Sequence, residues 1–263
     1  MVSIQSMARS AAVLLFLSLS VLPCPAAASD TPQALYSQGL QALQEGNFSL
    51  AVERLTEALR ADPEWVEAYI NRGVAYRRLK KLPEAMADFD QALKLAPEAA
   101  EAYYNRAIVW SQQGQFQKAV DDYTLALKYS PADWQIFYNR GNAYLDMNKP
   151  AEALPDYAKA LEFQPHSPEI LHNRGVAHLM AGNAPQALED FRKACALNPR
   201  FARAYYNQGR ALESLNRRVE AIQAFRKFLE LADPAADKTL MEQALQHLKA
   251  LETENPSQTD RPD

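Results

Sequence analysis

The chain has 263 residues, 48% of them hydrophobic, and a net charge of −4. That is enough apolar material to bury one elongated core or two compact ones. The acidic balance argues against a nucleic-acid binder, which would show phosphates a basic face. No run reaches the roughly 18 apolar residues that a membrane-spanning helix needs.

Residues 1–28 differ in character from the rest. A short leader with Arg9 precedes an apolar stretch from Ala11 to Leu22, Pro23 ends it, and Ala26-Ala27-Ala28 follow. Small residues after a short apolar stretch are what a signal peptidase reads. The expectation is a cleaved signal peptide over 1–28 and export, with a bacterial periplasm as destination and Ser29 as first mature residue. Cleavage removes Arg9 but no acid, so the mature chain is one unit more negative. Cys24 opens a second reading, since a cysteine after such a stretch can be acylated. Lipid attachment requires a small residue just before that cysteine, and Pro23 stands there. Membrane association is expected only if Cys24 is acylated. The mature chain keeps one thiol, Cys195, so no internal disulfide can form.

Beyond the leader the chain repeats. Pro63, Pro97, Pro131, Pro165 and Pro199 are each 34 residues apart. The register predicts helical hairpins over 32–65, 66–99, 100–133, 134–167, 168–201 and 202–234, the last ending at Asp233-Pro234, one residue late. Thr31-Pro32 reads as a helix N-cap followed by proline in the first turn. Position 8 of each repeat is Gly39, Gly73, Ala107, Gly141, Gly175 and Gly209, and position 20 is alanine throughout. Position 24 holds Leu55, Phe89, Tyr123, Tyr157, Phe191 and Phe225. Small residues let two helices approach while the large one at position 24 is expected to fill the space between neighbouring hairpins. All eight glycines fall at position 8 or at position 15, where Gly46, Gly114 and Gly182 alternate with Lys80, Asn148 and Asn216. Position 15 is where a helix would end in a left-handed residue. Residues 235–252 form one more amphipathic segment, with Leu240, Ala244, Leu248 and Leu251 at helical spacing. It is expected to cap the last hairpin, with a polar disordered tail over 253–263.

These positions resemble the tetratricopeptide-repeat (TPR) family over residues 32–234. The resemblance implies an all-α fold, a right-handed superhelical solenoid of six helical hairpins closed by the C-terminal capping helix. It implies no cofactor and a protein or peptide partner.

Charge also recurs with the repeat. Arg72, Arg106, Arg140 and Arg174 occupy position 7, and Asp88, Asp122, Asp156 and Asp190 occupy position 23 of the same repeats. Both are missing from the first and last repeats. Across an antiparallel hairpin these positions face each other, predicting four Arg–Asp pairs. If exposed, each contributes about 0–1 kcal/mol. The alternative is two unrelated solvated charges.

In the family the first helix of each hairpin lines a concave face through positions 2, 5, 6, 9, 12 and 13. Position 6 then forms an asparagine ladder of Asn71, Asn105, Asn139, Asn173 and Asn207. A carboxamide both donates and accepts, so such a ladder can grip a peptide backbone whatever its sequence. It can equally bond within its own solenoid. Tyr36, Tyr104, Tyr138 and Tyr206 at position 5 supply apolar area with a polar tip. Val74, Ile108 and Val176 contribute to an apolar floor, and the second repeat adds Arg77 and Arg78. Some TPR domains clamp a partner's terminal carboxylate with Lys, Asn, Asn, Lys and Arg. Here Asn142, Asn173 and Arg203 match that set while Tyr138 and Asn207 do not, and Arg210 lies two turns after Arg203.

Other motifs carry less. His166, His172 and His178 are six apart, which turns them to different sides of a helix and rules out a shared metal. His178 and Cys195 read as core residues. Asn47-Phe48-Ser49 matches a glycosylation sequon but falls in a helix–helix turn. No catalytic constellation or metal motif is found. The expected function is a non-enzymatic adaptor of the cell envelope that binds a partner peptide or helix in its groove. The alternative is a membrane-tethered TPR lipoprotein that helps assemble a pilus or secretion machine.

Overall fold

The computed structural model describes residues 31–253. The expected signal peptide with Cys24, and the expected tail beyond residue 253, lie outside the described residues. Thirteen α-helices form among them: α1 (Pro32–Gln44), α2 (Phe48–Ala61), α3 (Val66–Arg78), α4 (Leu82–Leu95), α5 (Ala100–Gln112), α6 (Phe116–Tyr129), α7 (Trp134–Asp146), α8 (Pro150–Phe163), α9 (Pro168–Met180), α10 (Ala184–Leu197), α11 (Ala202–Ser214), α12 (Arg218–Leu231) and α13 (Lys238–Thr253). The first twelve pair consecutively, and each pair packs its first helix on the second helix of the pair before. Successive first helices also touch one another, while the second helices stand further apart. The stack therefore curves with α1, α3, α5, α7, α9 and α11 on its inner side.

Local chemistry sets the ends of the helices. Thr31 Oγ1 accepts the Ala34 amide at 3.1 Å to open α1. Between α1 and α2, Gly46 N donates to Leu43 O and Asn47 N to Ala42 O, and Gly46 has φ +76°. This pair of bonds around one left-handed residue satisfies carbonyls that the helix end leaves open. It recurs at Lys80, Gly114, Asn148, Gly182 and Asn216, all with positive φ. Lys80, at φ 60°, is neither glycine nor asparagine. Its Cβ crowds the following carbonyl oxygen, so Lys80→Gly is expected to raise stability by about 1 kcal/mol. The readout is the urea midpoint, and an unchanged midpoint would mean no strain is stored there. At the other end of each pair, Asp62, Ala96, Ser130, Gln164 and Asn198 leave the helix just before the recurring prolines.

Helix contact is closest at position 8. A Cβ on Gly73 would lie 2.6 Å from Phe89 Cε1, one on Gly141 2.9 Å from Tyr157 Cε1, and one on Gly175 2.7 Å from Phe191 Cε1. Phe89, Tyr157, Phe191 and Phe225 are fully buried.

The four Arg–Asp pairs form, and they are not surface pairs. Each arginine donates twice to its aspartate, as Arg140 Nε and NH2 do to Asp156 at 2.8 and 2.7 Å. All four carboxylates are buried. Three of the arginines also reach back one repeat: Arg72 to Thr56, Arg106 to Asp90 and Arg140 to Thr124. The Asp122 carboxylate holds the Arg106 guanidinium above its usual range. Each pair thus locks its own hairpin and, in three cases, the joint to the previous one.

The capping helix starts at Lys238, later than the amphipathic spacing indicated. Asp233 Oδ1 accepts the amides of Ala235 and Ala236, folding those residues into a turn before the helix. Ala244 and Leu248 of α13 then bury against Phe225 and Phe228 in the last core cluster.

Candidate functional site: the inner groove

Position 6 of every first helix from α3 onward lies on the inner side, and its carboxamide reaches back one repeat. Asn71 Nδ2 donates to Tyr36 Oη at 2.9 Å, Asn139 Nδ2 to Tyr104 Oη at 3.1 Å, and Asn173 Nδ2 to Tyr138 Oη at 3.1 Å. Asn207 Nδ2 meets His172 Nε2 at 2.9 Å. The exception explains the rule. Position 5 of the second repeat is Ile70, which has no hydroxyl, so the buried Asn105 lacks the bond to the previous repeat and donates to Glu101 O of its own helix, as Asn71 also does to Glu67 O. Each carboxamide of the ladder therefore spends at least one N–H inside the solenoid, and Asn71 and Asn173 spend both. What a ligand can meet is the second N–H of Asn139 and Asn207, carboxamide oxygens and the tyrosine O–H groups, since Tyr36, Tyr104 and Tyr138 act as acceptors toward asparagine and keep their own protons to donate.

The bonds to His172 assign its tautomer. Nε2 accepts from Asn207, so Nδ1 carries the proton and donates to Asn173 Oδ1 at 3.0 Å. Burial holds the His172 pKa below its ordinary 6.5. The unfolded imidazole titrates at about 6.5, so below that pH the unfolded chain binds more protons than the folded one. The stability from neutral His172 is complete above about 6.5 and is lost as pH falls toward the lower folded value. The urea midpoint is expected to drop between about pH 7.5 and 5.5, and to drop less in His172→Gln. Equal slopes in the two proteins would refute the assignment.

Two site residues are bonded by the C-terminal segment, Tyr206 by α13 and the exposed Arg203 by the turn before it. Tyr206 is buried, and its hydroxyl donates to Gln243 Oε1 at 2.8 Å. Arg203 Nε donates to Asp237 Oδ1 at 3.0 Å. Asn142 Oδ1 accepts from Tyr157 Oη at 2.7 Å and from Asn173 Nδ2 at 2.9 Å. The residues that match a carboxylate clamp are thus bonded to protein groups rather than converging on open space.

On the inner helices, open volume lies earlier in the stack. A cavity of about 500 Å³ is lined by Asn71, Val74, Glu101, Tyr104, Asn105, Asp133 and Ile136. Glu101 and Asp133 make this lip of the groove acidic, and burial and then the like charge of Glu67 push the Glu101 pKa up. A second cleft of about 390 Å³ lies at the opposite ends of α3 and α5, lined by Arg77, Arg78, Lys80, Leu82 and Gln112. The sequence names Arg77 and Arg78 but does not show that neither forms an ion pair among the described residues. The one hint is position 12 itself, leucine in three other repeats and arginine here.

The remaining candidates separate. His166 is exposed in the loop before α9, while His172 and His178 are half-buried on that helix. Cys195 is buried in α10 and its thiol is pushed up to about 12 by burial, which suits a packing residue rather than a nucleophile. Asn47 is the N-cap of α2, its Oδ1 accepting the Leu50 amide. Among the described residues no group of three or more His, Cys, Asp or Glu side chains could hold a metal ion.

No curated protein matches the sequence. Among solved structures, YrrB, described as a TPR protein with an unusual peptide-binding site, matches at TM-score 0.66 and 26% identity, covering 74% of this chain and 100% of YrrB. A tetratricopeptide repeat protein from Parabacteroides merdae ATCC 43184 matches at TM-score 0.65 and 22% identity over 86% of this chain and 94% of its own. The MamA protein matches at TM-score 0.58 and 23% identity over 66% of this chain and 96% of its own. The last two likenesses speak to the fold alone. One family model described as Tetratricopeptide repeat matches residues 36–96, 138–200 and 172–236, and a second of the same description matches 72–136. Those matches span well over half of the sequence and coincide with the paired helices, so the chain belongs to the tetratricopeptide-repeat family.

Proposed function

We propose that this protein is a non-enzymatic adaptor of the cell envelope, exported by the leader over 1–28, that holds a segment of a partner protein in its inner groove. The observation that carries the reading is the cavity beside Asn71, Tyr104 and Asn105. There apolar floor, carboxamides and an O–H donor meet in one open volume. Apolar area with a few placed polar groups is the usual make-up of a peptide groove. The likeness to YrrB, with its peptide-binding site, supports the same reading. Mature protein starting at Ser29, found by mass spectrometry, would support export without a lipid anchor. An acylated Cys24 at the N-terminus would favour the tethered assembly factor instead.

Photo-cross-linking tests where the partner lies. Alanine at Asn139 or Asn173 would also cut a bond to the neighbouring repeat, mixing binding with folding. Benzoylphenylalanine at Val74, Ile108 or Val176 on the inner side avoids that confusion. Adducts to one partner are expected from these positions and not from Phe163 or Leu197, which are exposed at the ends of α8 and α10. Adducts only from Phe163 and Leu197 would place the partner elsewhere and overturn the reading.

A further inference from the structure

We propose that the cleft formed by Arg77, Arg78 and Lys80 binds the acidic side chains of the partner segment, an inference that rests on the groove reading above. Arg77 and Arg78 end α3, Lys80 is the left-handed residue of the next turn, and Leu82 and Gln112 complete the walls. None of the three cations forms an ion pair among the described residues, although every position-7 arginine of the inner repeats has its aspartate. Arg77 Nε is buried with no hydrogen-bond partner. Cations at a helix C-terminus are favoured by the helix dipole. That accounts for exposed charges, but it does not account for burying the Arg77 Nε with nothing to bond among the described residues. Burial and then the like charge of Arg78 hold the Arg77 pKa below its ordinary value. An incoming carboxylate in the cleft would offset the like charges of Arg77 and Arg78 through charge-assisted bonds to their planar forks.

Backbone strain points the same way. Six turns carry a left-handed residue, and five use glycine or asparagine, which tolerate it. The sixth keeps lysine, and it lines this cleft.

Charge across the groove selects a protein segment over a polyanion. Glu67 lies at the N-terminal end of α3 and Arg77 at the C-terminal end, about 15 Å apart along the helix. Glu101 and Asp133 line the cavity on the acidic side. A polymer of phosphates would be repelled there, whereas a peptide with basic residues toward Glu67 and acidic residues toward Arg77 satisfies both lips. The two lips then set the direction in which the segment lies.

Fluorescence anisotropy with a labelled hexaglutamate peptide at low salt tests the site on the purified chain. Binding is expected, weakening as salt rises. Arg77→Met should weaken it about tenfold and Arg78→Gln several-fold, consistent with loss of a charge-assisted bond. Lys80→Asn should also weaken it while raising the thermal midpoint, so lost binding there cannot be lost folding. Wild-type affinity in all three variants, or no binding by the wild type, would overturn the proposal. So would complete displacement of the peptide by inorganic phosphate at matched concentration, which would make the cleft a phosphate site. If cross-links from Val74 and Ile108 persist while hexaglutamate fails, the cleft assignment falls and the groove reading stands.

Discussion

Replacing Asp156 with alanine is expected to lower stability by about 3–5 kcal/mol, far more than a surface ion pair would lose. The carboxylate is buried and accepts two bonds from Arg140, which also holds Thr124 of the preceding repeat. Alanine would leave a mostly buried guanidinium without its counter-charge. The loss comes from that stranded charge, so Arg140→Met with Asp156→Leu should recover most of it. Urea unfolding followed by circular dichroism reads both. Because stability in a repeat stack is close to a sum of repeat and neighbour contributions, Asp156→Ala in the fourth hairpin should also split the transition in two. A loss below about 1 kcal/mol would show that the pair behaves as a solvated one.

The second large effect is Phe191→Ala, expected to remove about 3–5 kcal/mol by emptying a fully buried site. Its partner is Gly175, where an added Cβ would lie 2.7 Å from Phe191 Cε1. Gly175→Ala alone should therefore destabilise by about 1–3 kcal/mol through overpacking. In the Phe191→Ala background the ring is gone, and alanine's better helix propensity, about 1 kcal/mol, should make the same change stabilising. The sign reversal is the test, and additive effects of the two changes would refute the contact. The third hairpin pairs Ala107 with Tyr123, so an alanine can be seated when the ring is placed to suit it.

Much of this architecture was legible in the sequence. The recurring prolines mark where second helices end, and the glycines and asparagines at position 15 mark left-handed turns, because each is set by the backbone of one or two residues. The Arg–Asp pairs follow from register alone. Two features departed from local rules. Pro155 sits inside α8 and the helix continues through it, because Ala153, Asp156 and Tyr157 bury the opposite face and override propensity. Lys80 adopts a conformation that its side chain disfavours, which no propensity would assign to it.

The candidate site was only half legible. Position 6 correctly singles out asparagines on the inner helices, yet what each amide bonds depends on a residue 35 positions earlier, as the isoleucine at 70 shows for Asn105. Arg203 and Tyr206 belong to the family's groove positions, but Gln243 of α13 takes the hydroxyl of the buried Tyr206, and Asp237, just before α13, pairs with the exposed Arg203.

By itself the sequence determined the period, the helix ends and the facing of each position, since these are local consequences of residue size, backbone freedom and spacing. Only the tertiary structure decided which charges are buried and which polar groups are left over. Burial is a property of stacked repeats rather than of any one of them. It turns the four Arg–Asp pairs from surface decoration into locks, and it leaves the Arg77 Nε buried without a hydrogen-bond partner among the described residues.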